Sequence, residues 1–236
     1  MWGRPAPDSP VRAGADDRLL CVEDGFLRSV GLGANWVEPL SWVVDRRGMY
    51  YDASAPSDLE HLLETSAFDT ATLVRARALR EAIVAAGITK YNVGAGRWQR
   101  PPGGRRVVLV PGQVENDASI AWGAPGIRTN LALLQAVRTR RPEAWIVYKP
   151  HPDVLAGKRP DSTATEDVRR WCDEIVTDVP IHTLFAAVDE LQVLTSLAGF
   201  EALLRGRPVV CHGSPFYAGW GLTEDVHPHP RRTRRL

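Results

Sequence analysis

From Arg106 to Gly213, short apolar runs alternate with segments whose apolar residues recur every three to four positions. RVVLVPG, AWIVYKPHP, EIVTD, QVLTS and PVVCHG read as strands, and TNLALLQAVRTRRP, HTLFAAV and GFEALLRG read as helices. This alternation predicts an α/β fold, with a parallel sheet and helices on its faces. In the first helix Leu131, Leu134 and Val137 share one face, Thr129 or Asn130 is placed to cap the start, and Pro142 stops it.

The first hundred residues are less regular. LLCVE reads as a strand, and one helix runs from about Asp69 to Ala86, with Leu73, Ala76, Ile83 and Val84 as its stripe and Gly87 closing it. RWQRPPGGRR then breaks all periodicity, which places a boundary near Gly96 to Arg105. The predicted organisation is a partial lobe over 1–100, a Rossmann-like lobe over 101–224 and a basic tail over 225–236. The first lobe reads as incomplete because few strands precede its helix. No internal repeat or low-complexity segment is present.

Composition narrows the function. Of 236 residues 44% are hydrophobic, enough for a substantial core, and 29 Lys and Arg nearly cancel 28 Asp and Glu. That balance gives no global basic field for nucleic acid. The four arginines between Pro230 and Leu236 read as a solvated end. Cys21, Cys172 and Cys211 are odd in number and lack the close spacing of a zinc or redox motif, which fits a reducing cytoplasm. No apolar run approaches the roughly 18 to 20 residues that cross a bilayer, so membrane association is expected to be peripheral.

In an open α/β sheet, ligands bind beyond the carboxyl ends of the strands. Polar residues cluster at those ends: Gln113, Glu115, Asp117 and Ser119 after RVVLVPG, and Lys149, His151 and Pro152 after AWIVY. Thr195 and Ser196 follow QVL, with Glu201 inside the next helix, and Glu23, Asp24 and Arg28 follow LLCV. Singly, each has a plain structural use as a turn, a cap or a solvated carboxylate. Their recurrence at one end of successive strands suits a phosphorylated nucleotide sugar. A helix opening at Ser196 and Gly199 offers unpaired N–H groups to a phosphate, Lys149 and His151 add charge, and Glu201 is placed to accept from ribose hydroxyls. No phosphate-loop or dinucleotide glycine motif sits between a strand and a helix.

The strings EDGFLRSVGLGA, PLSWVVDRRGMYYDA, VLVPGQVENDASI, IVYKPHPDVLAGKR and LTSLAGFEALLRGRPVVCHGSPFYAGWGL resemble, in the same order, the capsule polysaccharide β-Kdo transferases of the KpsC type (Kdo is 3-deoxy-D-manno-oct-2-ulosonic acid). The resemblance implies a GT-B-like pair of Rossmann-like lobes, with CMP-Kdo as donor on the C-terminal lobe and a lipid-linked Kdo acceptor approaching the N-terminal one. It implies a retaining reaction without a metal or cofactor, with Asp117 as nucleophile and Glu23 as general acid/base. Donor contacts would come from Gln113, Ser119, Lys149, His151, Pro152, Ser196 and Glu201. Asp24, Arg28 and Trp220 are assigned to the acceptor side or left open, and PFYAGWGL either closes the donor site or forms a buried aromatic corner. Capsule assembly and export proteins are the expected partners, at the inner membrane. Family members carry two such modules and this chain holds one. Another CMP-sugar transferase, such as a sialyltransferase, and a non-catalytic sugar-binding export module are the competing readings.

Overall fold

The computed structural model describes residues 2–3, 20–157 and 165–236. Lys158 and Arg159, at the end of one family string, lie outside the described residues, as does most of the opening segment. The N-terminal part contains β1 (Cys21–Asp24), β2 (Trp42–Asp45), α1 (Asp58–Thr65) and α2 (Thr70–Ala85). The C-terminal part follows as β3 (Val107–Pro111), α3 (Ala118–Gly123), α4 (Asn130–Arg140), β4 (Trp145–Lys149), α5 (Pro152–Leu155), α6 (Thr165–Arg169) and β5 (Glu174–Ile175). It ends with α7 (Ile181–Ala187), β6 (Glu190–Val193), α8 (Leu197–Leu204), β7 (Val209–Cys211) and β8 (Glu224–Asp225).

The large sheet is parallel throughout, in the order β5-β4-β3-β6-β7-β8. Growth outward from β3 reverses direction at β6, which is the doubly wound order and opens a crevice between the carboxyl ends of those two strands. All of β3 is buried, because its side chains alternate between two helix-covered faces. Val107 and Leu109 pack with Phe185 and Leu191 on one face. Val108 and Val110 pack with Leu134, Val137 and Ile146 on the other. Thr129 caps α4 as expected, but Leu133 is buried where Leu131 is only partly so.

Among the described residues, the N-terminal part is a two-stranded antiparallel ribbon with two helices. The buried Asp45 carboxylate fixes its corner by accepting from the backbone N–H of Arg47, Gly48 and Asp58. Asp69 caps α2 and Gly87 ends it at φ +65°, as the sequence predicts. The stripe on α2 is not core, however. Leu73 is 55% exposed and no α2 residue is buried. Helical periodicity reports an apolar face but not whether anything packs on it.

Both connections outside the sheet are held by specific contacts. Between α2 and β3 the linker is irregular yet held against the C-terminal lobe. Ala95 and Gly96 donate to the Asp178 carbonyl, Trp98 packs on the core and Arg100 pairs with Asp189 at 2.6 Å. The arginine tail is not a solvated end. It returns to α1, where Arg231 and Arg232 bind the two oxygens of Glu60 at 2.9 and 3.0 Å and Arg234 donates to the carbonyls of Leu63 and Ser66. Arg232 is buried and also donates to Pro215 and Ala218 carbonyls. Guanidinium groups supply five fixed donors, so an arginine run can satisfy carbonyls left open at helix ends.

Candidate active site

One wall is built at the reversal in strand order. Gln113, just after β3, spans to the end of β6: its Nε2 donates to Thr195 Oγ1 at 3.0 Å and its Oε1 accepts from Thr195 N at 2.9 Å. Thr195 Oγ1 donates in turn to Ser119 Oγ at 3.2 Å, and Asp117 caps α3 by accepting from Ser119 N at 2.8 Å. Gln113 and Ser119 thus hold the loop that presents Asp117, which stays exposed. Glu115, on the same loop, accepts from Asn130 N and pins the start of α4.

The opposite wall is the end of β1. Gly25 must be glycine, because a Cβ there would lie 2.1 Å from Ser41 Oγ. Phe26 stacks on Phe216 with centroids 4.7 Å apart, and Tyr50 meets both rings edge-on, so this aromatic cluster ties the two lobes together. Arg28 is buried and occupied, donating to Asp24 Oδ2 at 2.5 Å and to the Val37 carbonyl at 2.7 Å. Burial pushes the Glu23 carboxyl above its ordinary value. The Asp24 N–H opposes this, the Asp24 charge adds to it, Lys90 opposes, and the charge of Asp117 adds again from across the cleft.

The remaining side follows β4 and β6. Lys149 is buried, donates to the Thr177 carbonyl at 3.0 Å and has its pKa lowered by burial, with Asp178 opposing. His151 caps α5, its Nδ1 accepting from Asp153 N at 3.2 Å, and Pro152 takes the first helical position. Ser196 caps α8 by accepting from Ala198 N. Gly199 leaves room for the Tyr217 ring, whose hydroxyl would lie 2.2 Å from a Cβ there. Glu201 is buried, and its Oε1 accepts from Lys90 N at 2.6 Å, so it joins the lobes. Burial raises its pKa to about 7, against the Lys90 N–H and the charges of Arg205 and Lys90.

These walls enclose one cleft of about 500 Å³. It is bordered by Glu23, Asp24, Arg28, Gln113, Asp117, Ser119, Lys149, His151, Pro152, Ser196 and Glu201, whereas Trp220, Glu115 and Gly199 of the sequence-predicted residues do not border it. Trp220 is fully buried, donates to the Phe216 carbonyl and lies beside Arg232, so it forms the aromatic corner. Pro215 and Phe216 of that segment reach the cleft in its place. Lys90, Tyr50 and Tyr91 also line it, and sequence reasoning missed them. Lys90 and Tyr91 follow α2 without an apolar run before them, and only the fold brings them beside Glu23. Among the described residues no group of three or more His, Cys, Asp or Glu is arranged to hold a metal ion, and no helix is long and apolar enough to cross a membrane.

The chain aligns over its whole length with two solved structures from Thermosulfurimonas dismutans. One is the KpsC beta Kdo 2,7 transferase, at 40% identity and TM-score 0.80, of which the chain covers 71%. The other is the KpsC beta Kdo 2,4 transferase, at 34% identity and TM-score 0.85, with 75% covered. The α/β fold is therefore GT-B-like and matches part of each of those chains. The capsule polysaccharide modification protein LipA of Neisseria meningitidis serogroup B is 50% identical over 218 residues, 92% of this chain and 31% of that protein. The lipopolysaccharide-processing protein LpsZ of Rhizobium meliloti is 49% identical over 91% of this chain and 50% of its own length. The chain thus spans 31% to 50% of the length of these curated relatives. One family model matches residues 2–236, and this chain belongs to the family it describes, the capsule polysaccharide biosynthesis proteins.

Proposed function

We propose that the chain is a retaining glycosyltransferase module that moves β-Kdo from CMP-Kdo to a lipid-linked, Kdo-terminated acceptor in capsule assembly, at the cytoplasmic face of the membrane and alongside capsule assembly and export proteins. One observation carries this reading: Asp117 and Glu23 border a single cleft from opposite lobes, at the strand-order reversal where α/β sheets bind nucleotides. Family membership and the likeness to two Kdo transferases support the sugar.

A β-linked donor and a β-linked product require two displacements. Asp117 attacks the anomeric carbon while its bond to the phosphate oxygen breaks, and CMP leaves with that electron pair. The sugar is then an ester of Asp117. Glu23 takes the proton of the acceptor hydroxyl, the freed oxygen bonds to the anomeric carbon, and the Asp117 carboxylate departs. The raised pKa of Glu23 makes it a stronger base for this step. Lys149, His151 and the start of α8 meet the charge on the leaving phosphate.

The test is incubation with CMP-Kdo and a synthetic Kdo-terminated acceptor, with CMP release and product linkage followed by NMR. Coupled CMP release and a new β linkage are expected. Absence of both, or equal use of CMP-sialic acid, contradicts the proposal.

A further inference from the structure

Lys90 is held in place by both lobes. Its N–H donates to Glu201 at 2.6 Å, and its carbonyl accepts from Arg28 N and Ser29 N, each at 3.1 Å. Tyr91 extends the anchor, accepting at its carbonyl from Gly31 N at 2.8 Å. The Lys90 side chain enters the cleft with Nζ 5.1 Å from the Tyr91 ring centroid. Burial works against the ammonium, but Tyr91, Tyr50 and Asp24 outweigh it, so Lys90 stays charged above the ordinary lysine range.

The charges around it are unbalanced. Glu23, Asp24, Asp117 and Asp153 border the cleft. The guanidinium of Arg28 is taken by Asp24, and Lys149, which donates to the Thr177 carbonyl, is assigned to the leaving phosphate. Lys90 lies close enough to Glu23 to lower its pKa. A 2-ulosonic acid carries a carboxylate on the same carbon that a nucleophilic carboxylate must attack. Two like charges would meet at that carbon unless a cation stood beside it.

We propose that Lys90 receives the carboxylate of the donor sugar and makes the site selective for acidic sugars over neutral ones. This rests on the reading of the donor as a CMP-activated 2-ulosonic acid. The pinned backbone limits where the ammonium can reach, and an ammonium–carboxylate contact there is a charge-assisted hydrogen bond.

The experiment measures binding of three probes by calorimetry: CMP, CMP-Kdo and the C1 carboxamide of CMP-Kdo. An Asp117→Asn background keeps the donors intact, and Lys90→Met is added to it. The methionine leaves the backbone hydrogen bonds of residue 90 in place. In the parent, CMP-Kdo should bind about ten- to a hundredfold more tightly than the carboxamide. Lys90→Met should bring that ratio to near one while CMP affinity stays within about twofold, and Lys90→Arg should restore part of the preference. A ratio unchanged in Lys90→Met, with CMP binding intact, overturns the role of Lys90 and leaves the donor reading standing. Failure of CMP and CMP-Kdo to bind the parent overturns both.

Discussion

Replacing Glu201 with glutamine removes a titratable proton from the junction of the lobes while keeping the side chain's shape. Glu201 is 6% exposed, and its Oε1 accepts from Lys90 N at 2.6 Å, a bond that the glutamine carbonyl can also accept. Burial raises the carboxyl from 4.5 to about 7 in the folded chain. A folded-state pKa above the unfolded one means that the folded protein favours the protonated form. This contribution is fully present below about pH 4.5 and is lost as pH rises through about 7. The gap between those values corresponds to about 3 kcal/mol. Glutamine is neutral throughout and pays no such penalty. Urea midpoints followed by tryptophan fluorescence, for both proteins between about pH 4.5 and 8.5, isolate the effect because every other titrating group is shared. Glu201→Gln should match the parent at the acid end and exceed it by up to about 3 kcal/mol at the alkaline end. A stability difference that does not change with pH, or that favours the parent as pH rises, refutes the reasoning.

Two further outcomes follow from other parts of the molecule. Arg232→Ala strands two carbonyls and half of the Glu60 pair, so it should cost about 3–5 kcal/mol, read as a melting-temperature drop of roughly 6–20 °C. The exposed Arg97→Ala should stay within about 0.5 kcal/mol, and equal behaviour of the two variants contradicts the clasp. Asp117→Asn removes a negative neighbour of Glu23, so the Glu23 carboxyl should titrate lower than in the parent by carbon-13 NMR. An unmoved or rising value means that the two groups do not face one cleft.

What the sequence made legible was whatever repeats locally. Buried parallel strands announce themselves as apolar runs, and the polar residues after β3, β4 and β6 could be picked out because a doubly wound sheet gathers those ends. Three kinds of feature were not legible. Lys90 and Tyr50 come to the cleft through long-range packing that no local pattern encodes. The bonds of Glu201 to Lys90 and of Gln113 to Thr195 join residues 111 and 82 positions apart, a pairing that no local pattern encodes. The basic tail was misjudged because its contacts are long-range. Arg232 lies beside the Trp220 ring, 5.8 Å from its centroid, and the tail closes over the corner that Trp220 fills.

In the proposed reaction Asp117 forms a covalent bond to the sugar. Intact-protein mass spectrometry after incubation with CMP-Kdo and no acceptor tests it, with peptide mapping to locate the adduct. One added Kdo is expected on the peptide carrying Asp117, absent in Asp117→Asn and discharged when acceptor is added. An adduct on another residue, or near-parent turnover by Asp117→Asn, would contradict it.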